Sequence, residues 1–183
     1  MKSLAYVAFL RGINVGGNML VSMEALKKAL ASLGFANIKT VLASGNVVFE
    51  TKETAPAVLG AKIEQKLKSE FGAEITVILR TGEGIQALLA SKPFKATKVT
   101  PQTKLHVTFL PPNLEGGLKV SQRLSGTGYE TRRVSDGEVC SAVEVSPAWG
   151  TTDLMKLLEK QFGKKITTRT WNTIERIGKI LES

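Results

Sequence analysis

The chain has 183 residues, of which 43% are hydrophobic and 22% charged, and its formal net charge is +9. This length and composition describe a globular protein with a core of its own, and they exclude disorder and collagen-like repeats. A single cysteine excludes an internal disulfide, and no apolar run approaches the roughly 20 residues of a membrane helix. We therefore expect a bacterial cytoplasmic protein that needs no metal, cofactor or membrane.

The first half of the chain alternates the signals of strands and helices in the order βαββαβ. A short apolar strand leads into a glycine-rich run at residues 11–17, and Ser22 is placed to cap the helix that follows. A hairpin turn at residues 44–46 joins two further strands. The predicted strands cover residues 4–10, 38–42, 47–51 and 74–80, and the predicted helices run from Ser22 to Gly34 and from Pro56 to Gly72.

The second half repeats this order more loosely, with a hairpin turn at Asp136 and Gly137. The predicted strands cover residues 105–109, 129–134, 138–145 and 165–167, and the predicted helices cover residues 114–124, 154–162 and 171–181. We thus predict an α+β fold of two ferredoxin-like βαββαβ-type subdomains with antiparallel sheets, the second degenerate, and a C-terminal helix. The subdomains span residues 1–81 and 104–183, and residues 82–103 form a linker with a short helix.

Topology brings two loops of the first subdomain together. In a βαββαβ sheet, the loop that leaves the first strand and the hairpin that leaves the second emerge at the same edge. Glycine-containing loops rich in Asn and Ser, beside an arginine and ahead of a capped helix, can form an anion-binding concavity. The alternative is that the glycines serve tight turns and the asparagines cap them. The candidate ligand-binding residues are Arg11, Gly12, Asn14, Gly16, Gly17, Ser44, Gly45 and Asn46.

Three C-terminal residues complete the candidate site. Arg169 suits a bidentate contact with an anion, and Asn172 can read an amide or sugar edge. Trp171 begins the apolar stripe of the final helix, so its alternative role is to anchor that helix. We expect the final helix to pack on the helix at residues 154–162 and its sheet. Arg169 and Asn172 would then lie at its N-terminus, facing the groove between the halves.

Other chemistry-bearing residues favour structural roles. Asn18 and Met19 stand where a P-loop requires Lys followed by Ser or Thr, which argues against an ordinary ATPase. The single histidine, His106, sits in mid-strand without a nucleophile-elbow pattern, and Cys140 has no basic neighbour in sequence to activate it. No pair of carboxylates suggests acid/base or metal chemistry. The sequence therefore leaves open whether the protein is an enzyme.

Basic residues concentrate at two places, which leaves a nucleic-acid-binding module as an alternative. These two clusters are Lys92, Lys95, Lys98 and Lys104, and then Lys156, Lys160, Lys164, Lys165 and Arg169. A solvated basic face is the simpler explanation. An RNA-recognition motif shares the predicted topology but requires exposed aromatic residues on its sheet. Here we expect the two candidates, Tyr6 and Phe49, to pack in the core.

Three motifs together resemble the bacterial domain-of-unknown-function family 1697. They are FLRGINVGG at residues 9–17, SGNVVF at residues 44–49 and TRTWNT at residues 168–173. The resemblance extends over essentially the whole chain, although Thr170 stands where the family usually has asparagine. It implies a pair of ferredoxin-like subdomains and no activity, because the family has no established one.

These observations leave three hypotheses for function. The first is a site for a small phosphorylated or other anionic ligand, formed by the Arg11 loop and the turn at residues 44–46. The second is a nucleic-acid-binding module that uses the basic surface. The third is a structural or interaction protein in which the two loops brace the fold and bind no ligand. The sequence does not predict an oligomeric state.

Overall fold

The computed structural model describes residues 3–14, 19–52, 55–112, 128–135 and 137–183. The predicted α+β class is confirmed, with two four-stranded antiparallel sheets and associated helices. The elements in chain order are β1 (Leu4–Leu10), α1 (Met23–Ala31), β2 (Ala36–Val41), β3 (Asn46–Thr51), α2 (Pro56–Phe71), β4 (Val77–Thr81), α3 (Gly82–Ala90), β5 (Thr103–Phe109), β6 (Tyr129–Val134), β7 (Glu138–Glu144), α4 (Thr151–Phe162), β8 (Thr167–Thr170) and α5 (Trp171–Leu181).

The first sheet has the ferredoxin-like strand order β2-β3-β1-β4. Both β1 and β2 pair with β3 in antiparallel fashion, so these two strands are parallel to each other, as the βαββαβ order predicts. Strand β4 pairs with the other side of β1. Because β1 and β2 run the same way, the loops that follow them leave the sheet at one edge.

Helices α1 and α2 begin where the sequence signals place them, and α2 also ends there, whereas α1 ends at Ala31, before the predicted Gly34. The Ser22 hydroxyl accepts a hydrogen bond from the Ala25 amide at 3.0 Å, which caps α1. Pro56 is the first residue of α2, and Gly72 ends that helix in the left-handed conformation at φ +71°. Both helices bury an apolar stripe against one face of the first sheet.

The aromatic residues Tyr6 and Phe49 lie in this core, as predicted. Tyr6 is 1% exposed and Phe49 is fully buried, and their rings stack at 6.0 Å between centroids. The ring of Phe35 also stacks with that of Phe49, at 4.5 Å between centroids. These side chains are therefore unavailable for stacking on nucleic-acid bases, which argues against the RNA-recognition-motif interpretation.

The second sheet repeats the strand order of the first as β6-β7-β5-β8. Its core under α4 is built from residues such as Leu110, Tyr129, Val143 and Leu158. The last strand was expected at residues 165–167 but lies at Thr167–Thr170, in the predicted edge position. The helix predicted at residues 114–124 and the turn residue Asp136 fall outside the described residues.

The chain divides into two compact units, and the final helix contributes to both. One unit is Met1–Ala87 with Glu175–Ser183, and the other is Leu88–Ile174. In the first unit the Gln86 amide donates to the carbonyl of Gly178 at 3.1 Å. A β-carbon added to Gly82 would lie 3.1 Å from side-chain atoms of both Ala5 and Leu181. The C-terminal half of α5 thus packs on α3 and the start of β1, within the first unit.

Candidate functional site

The two glycine-containing loops of the first unit meet at the edge of the sheet, as the topology predicts. The Leu10 amide donates to the carbonyl of Gly45 at 2.8 Å, which joins the end of β1 to the turn between β2 and β3. The Arg11 amide donates to the carbonyl of Thr76 at 2.9 Å, so the segment before β4 reaches the same place. We call the described residues 11–14, 19–21 and 42–46 the loop edge.

Asn14 fastens the parts of the loop edge to one another. Its Nδ2 donates to the carbonyl of Ala43 at 2.8 Å and to that of Val21 at 2.9 Å, and its Oδ1 accepts the Val21 amide at 2.8 Å. The Asn14 amide also donates to the carbonyl of Met19 at 3.0 Å. The side-chain amide is thus fully used within the loops, and it closes the chain just before α1.

The turn at residues 44–46 is braced from inside. Asn46 is fully buried, and its Nδ2 donates to the carbonyl of Val41 at 2.8 Å and to the Ser44 hydroxyl at 3.0 Å. Gly45 has φ +75°, and a β-carbon there would lie 2.9 Å from side-chain atoms of Leu10 and Ile13. The turn therefore requires glycine for both its backbone conformation and its close approach to β1.

Arg11 and Gly12 follow directly after β1 in the loop edge. Arg11 is half-buried, and Gly12 is exposed with φ +78° and no heavy atom within 4 Å of an added β-carbon. Gly16 and Gly17 fall outside the described residues. The structure thus brings Arg11, Gly12, Asn14 and residues 44–46 together in one place.

Left-handed backbone is concentrated at the loop edge. Positive φ angles occur at Gly12, Asn14, Met19, Leu42 and Gly45. For Leu42, at φ +59°, the side chain makes this conformation unfavourable by about 1–2 kcal/mol. Such strain persists only where the surrounding structure enforces it, and it clusters at functional sites. Sequence reasoning singled out the glycines and asparagines here, but it missed Met19 and Leu42.

The C-terminal candidates belong to the second unit, where Arg169 lies in β8, two residues before α5 begins, and Asn172 is the second residue of α5. The Nη1 of Arg169 donates to the Thr167 hydroxyl at 2.7 Å and to the carbonyl of Thr168 at 2.9 Å. Burial lowers the pKa of Arg169 to about 10, so it remains charged at neutral pH. The ring of Trp171 packs edge-on against that of Phe94, with 5.1 Å between the ring centroids. The side chain of Asn172 is exposed.

The histidine and the cysteine have the properties of buried structural residues. His106 is 3% exposed, and its Nε2 lies 3.2 Å from the Thr151 hydroxyl. Burial, with a smaller effect of the positive charge on Lys104, lowers the pKa of His106 to about 4. Burial also raises the pKa of the Cys140 thiol to about 12, so the reactive thiolate is scarce at neutral pH.

Two cavities of the first unit lie beside the last turn of α5 and contain none of the predicted site residues. The larger, about 350 Å³, is lined by Leu4, Ala5, Thr81, Glu83, Gln86 and Leu181 among others. The smaller, about 240 Å³, shares Ala5 and Leu181 with it and reaches Lys39 and Glu50. Sequence reasoning missed both cavities, because residues far apart in the chain form them and no motif marks them.

The described ranges contain no group of three His, Cys, Asp or Glu side chains placed to hold a metal ion. None of the helices in these ranges has the length and apolarity needed to cross a bilayer.

The family described as "Protein of unknown function (DUF1697)" matches residues 4–140. The chain belongs to this family. Among solved structures, the DUF1697 chain is similar to the conserved bacterial protein SP0830 from Streptococcus pneumoniae. The two are 24% identical, with 98% of this chain and 99% of that chain covered and a TM-score of 0.74, which shows a shared fold.

A second solved structure, an unknown protein from Galdieria sulphuraria, is 13% identical over 92% of this chain and 98% of that chain. Its TM-score of 0.27 is too low to indicate a common fold. No curated protein matches the sequence.

Proposed function

We propose that this DUF1697 protein binds a small phosphorylated or other anionic ligand at the loop edge. The observation that carries the proposal is the Asn14 clamp, which holds three chain segments together by hydrogen bonds of 2.8–2.9 Å. A loop that is ordered before binding loses less conformational entropy when a ligand arrives, and this raises affinity.

Charge and backbone geometry support an anion as the ligand. Arg11 is half-buried in the loop edge, and a guanidinium can contact a phosphate or carboxylate in bidentate fashion. Left-handed residues such as Gly12 recur in loops whose backbone amides bind anions, although the amides of Arg11 and Asn14 here already donate to the carbonyls of Thr76 and Met19. The net charge of +9 adds a general attraction for anions.

The test is ligand binding by the intact protein and by two arginine variants. We expect phosphate, pyrophosphate or a nucleotide to stabilise the parent by about 2.7 kcal/mol at 100 times its Kd. Arg11→Gln should weaken binding at least tenfold, measured by titration calorimetry at a temperature where the variant is folded. Arg176→Gln is the matched control, because it removes the same charge from an exposed position on α5.

Two results would count against the proposal. One is the absence of any stabilisation by these anions at millimolar concentration. The other is an Arg11→Gln variant that binds as tightly as the parent. A sharp loss of stability in Arg11→Gln together with the absence of ligand binding would favour the third hypothesis, in which the loops only brace the fold.

Nucleic-acid binding is a second candidate function, favoured by the charge of the second unit. Leu88–Ile174 contains thirteen basic and seven acidic residues, a net charge of +6. All eight lysines of the two basic clusters are exposed, and within the described residues none of them forms an ion pair. On α4, Lys156 and Lys160 are four residues apart and share a face, with Lys164 and Lys165 directly after the helix.

Salt dependence distinguishes this candidate from the first. Binding of single- or double-stranded RNA or DNA should weaken with salt, with a slope of log K against log salt near −0.9 for each phosphate neutralised on duplex DNA. Replacing Lys156, Lys160, Lys164 and Lys165 by Gln should reduce that slope by about one for each phosphate that the variant no longer neutralises. The control replaces four exposed lysines of the other unit, namely Lys27, Lys52, Lys62 and Lys179. Equal effects of the two sets would indicate only a general charge effect.

A further inference from the structure

We infer that the ligand of the loop edge is an amphipathic anion, with an alkyl or aryl group attached to its phosphate. This inference rests on the proposed function and specifies its ligand. It comes from two leucines, because Leu20 is 83% exposed and Leu42 is 47% exposed. Leu20 is the most exposed large apolar side chain among the described residues.

The Asn14 clamp brings the two leucines to the same place. A single atom, Asn14 Nδ2, donates to the carbonyl oxygens of Val21 at 2.9 Å and Ala43 at 2.8 Å. Leu20 and Leu42 each directly precede one of these two residues in the chain. Both therefore lie beside the clamp, in the same loop edge as Arg11.

Neither leucine is explained by the needs of the fold. Leu42 has φ +59°, a conformation that glycine or asparagine adopts more easily. Leu20 is almost completely exposed, so it contributes little burial to the core. Single exposed apolar side chains are common, but here two of them, one on strained backbone, belong to the same loop edge as an arginine.

The chemistry of these three side chains selects the class of ligand. Arg11 provides the charge that complements a phosphate, and Leu20 and Leu42 provide apolar contact for a neighbouring hydrocarbon group. We therefore favour monoesters of phosphate with an alkyl or aryl substituent over inorganic phosphate. An acidic peptide with apolar side chains is the competing ligand, and the experiment distinguishes the two.

The experiment compares methyl, propyl and hexyl phosphate by titration calorimetry. Burial of each added methylene should tighten binding to the parent by up to about fourfold. In the double variant Leu20→Ser/Leu42→Asn, the three affinities should converge on that of methyl phosphate. Asparagine is chosen at position 42 because it tolerates the left-handed conformation. The control is Val99→Ser, which removes an apolar side chain that is 61% exposed in the parent and lies in the other unit. In this variant the affinity should still rise with the chain length of the ester.

Each result supports or overturns a specific statement. Esters that bind the parent with equal affinity, and lose binding in Arg11→Gln, would overturn the amphipathic ligand and leave the anion site standing. A chain-length series that persists in the double leucine variant would also overturn it. If neither inorganic phosphate nor any ester binds, the inference and the proposed function are both wrong. Binding of an acidic apolar peptide without binding of the esters would replace the inference with a peptide ligand.

Discussion

Gly45 is required for two separate reasons, its backbone conformation and its packing. Its φ of +75° favours glycine, and an added β-carbon would lie 2.9 Å from side-chain atoms of Leu10 and Ile13. Gly34 has a similar φ of +83° but no atom within 4 Å of an added β-carbon. Gly34→Ala should therefore reduce the free energy of unfolding by about 1 kcal/mol, which measures the backbone effect alone.

For Gly45→Ala we expect that backbone effect plus the cost of overpacking, in total about 2–4 kcal/mol. Urea unfolding of the parent and the two variants, with equal m-values, measures the difference. Equal destabilisation by the two substitutions would show that the turn can move away from β1 without cost.

His106 gives the stability of the protein a defined dependence on pH. Its pKa is lowered from 6.5 to about 4 in the folded protein, by burial first and then by Lys104. Between these values the unfolded chain binds a proton that the folded protein does not. Stability is therefore complete above pH 6.5 and is lost as the pH falls toward 4, by about 3 kcal/mol at the limit.

The single histidine makes this prediction easy to isolate, because no other imidazole titrates in the same range. The free energy of unfolding between pH 7 and 5 should fall in the parent and fall much less in His106→Gln. Identical pH profiles of parent and variant would show that His106 is accessible to protons in the folded protein.

Single-residue roles at the loop edge could be predicted only in part. Glycine and asparagine in a loop are recognisable signals, and three of the residues that they singled out, Gly12, Asn14 and Gly45, have left-handed backbone. The partners of the Asn14 amide, the carbonyls of Val21 and Ala43, follow from how three segments fold together and have no local signal. Leu42 was missed because leucine is rare in that conformation.

At the scale of elements, strong local signals gave accurate bounds. The strand Leu4–Leu10 and the helix Trp171–Leu181 lie as predicted, because a continuous apolar run or a regular stripe defines each of them. The strand β8 was placed too early, since its sequence TTRT lacks an apolar pattern. What fixes its position is pairing with β5, where Thr108 lies opposite Thr168.

The pairing of β5 with β8 can be tested through the two threonines that face each other. The hydroxyls of Thr108 and Thr168 lie 2.9 Å apart, and Thr108 is fully buried. Thr108→Val alone should reduce the free energy of unfolding by about 1–2 kcal/mol, because it leaves the other hydroxyl unpaired. Replacing both residues by Val should cost less than the sum of the single changes, because no polar atom is then left without a partner.

A double-mutant cycle in urea measures the coupling between the two threonines. Thr152→Val, a change at an exposed position on α4 outside this pair, serves as the control for general effects of the substitution. If the losses of unfolding free energy in the two single variants add up to the loss in the double variant, the two hydroxyls are not coupled. Each hydroxyl would then bond to water as favourably as to the other.

At the scale of the whole molecule, the repeated strand order could be predicted, whereas the partner of the last helix could not. Hairpin turns are local, so the order of the strands along both halves follows from the sequence. An amphipathic stripe such as that of α5 indicates which face is buried but not what covers it. Closeness in sequence favoured the helix at residues 154–162 as the partner of α5. Glu175–Ser183 nevertheless belongs to the same compact unit as Met1–Ala87.

Removal of residues 175–183 tests this assignment. The deletion takes away the fully buried Ile177 and the packing of Leu181 near Ala5 and Gly82. Re-exposure of large apolar side chains costs roughly 1.5–3 kcal/mol each, so we expect the first unit to lose several kcal/mol of stability. Hydrogen exchange with mass spectrometry should show the largest loss of amide protection in β1 and β4.

The matched control is Glu175→Gln/Glu182→Gln, which alters two exposed side chains of the same segment and leaves its apolar face intact. Loss of protection in β5, β7 and β8, with β1 and β4 unchanged, would instead show that this half of α5 stabilises the second sheet.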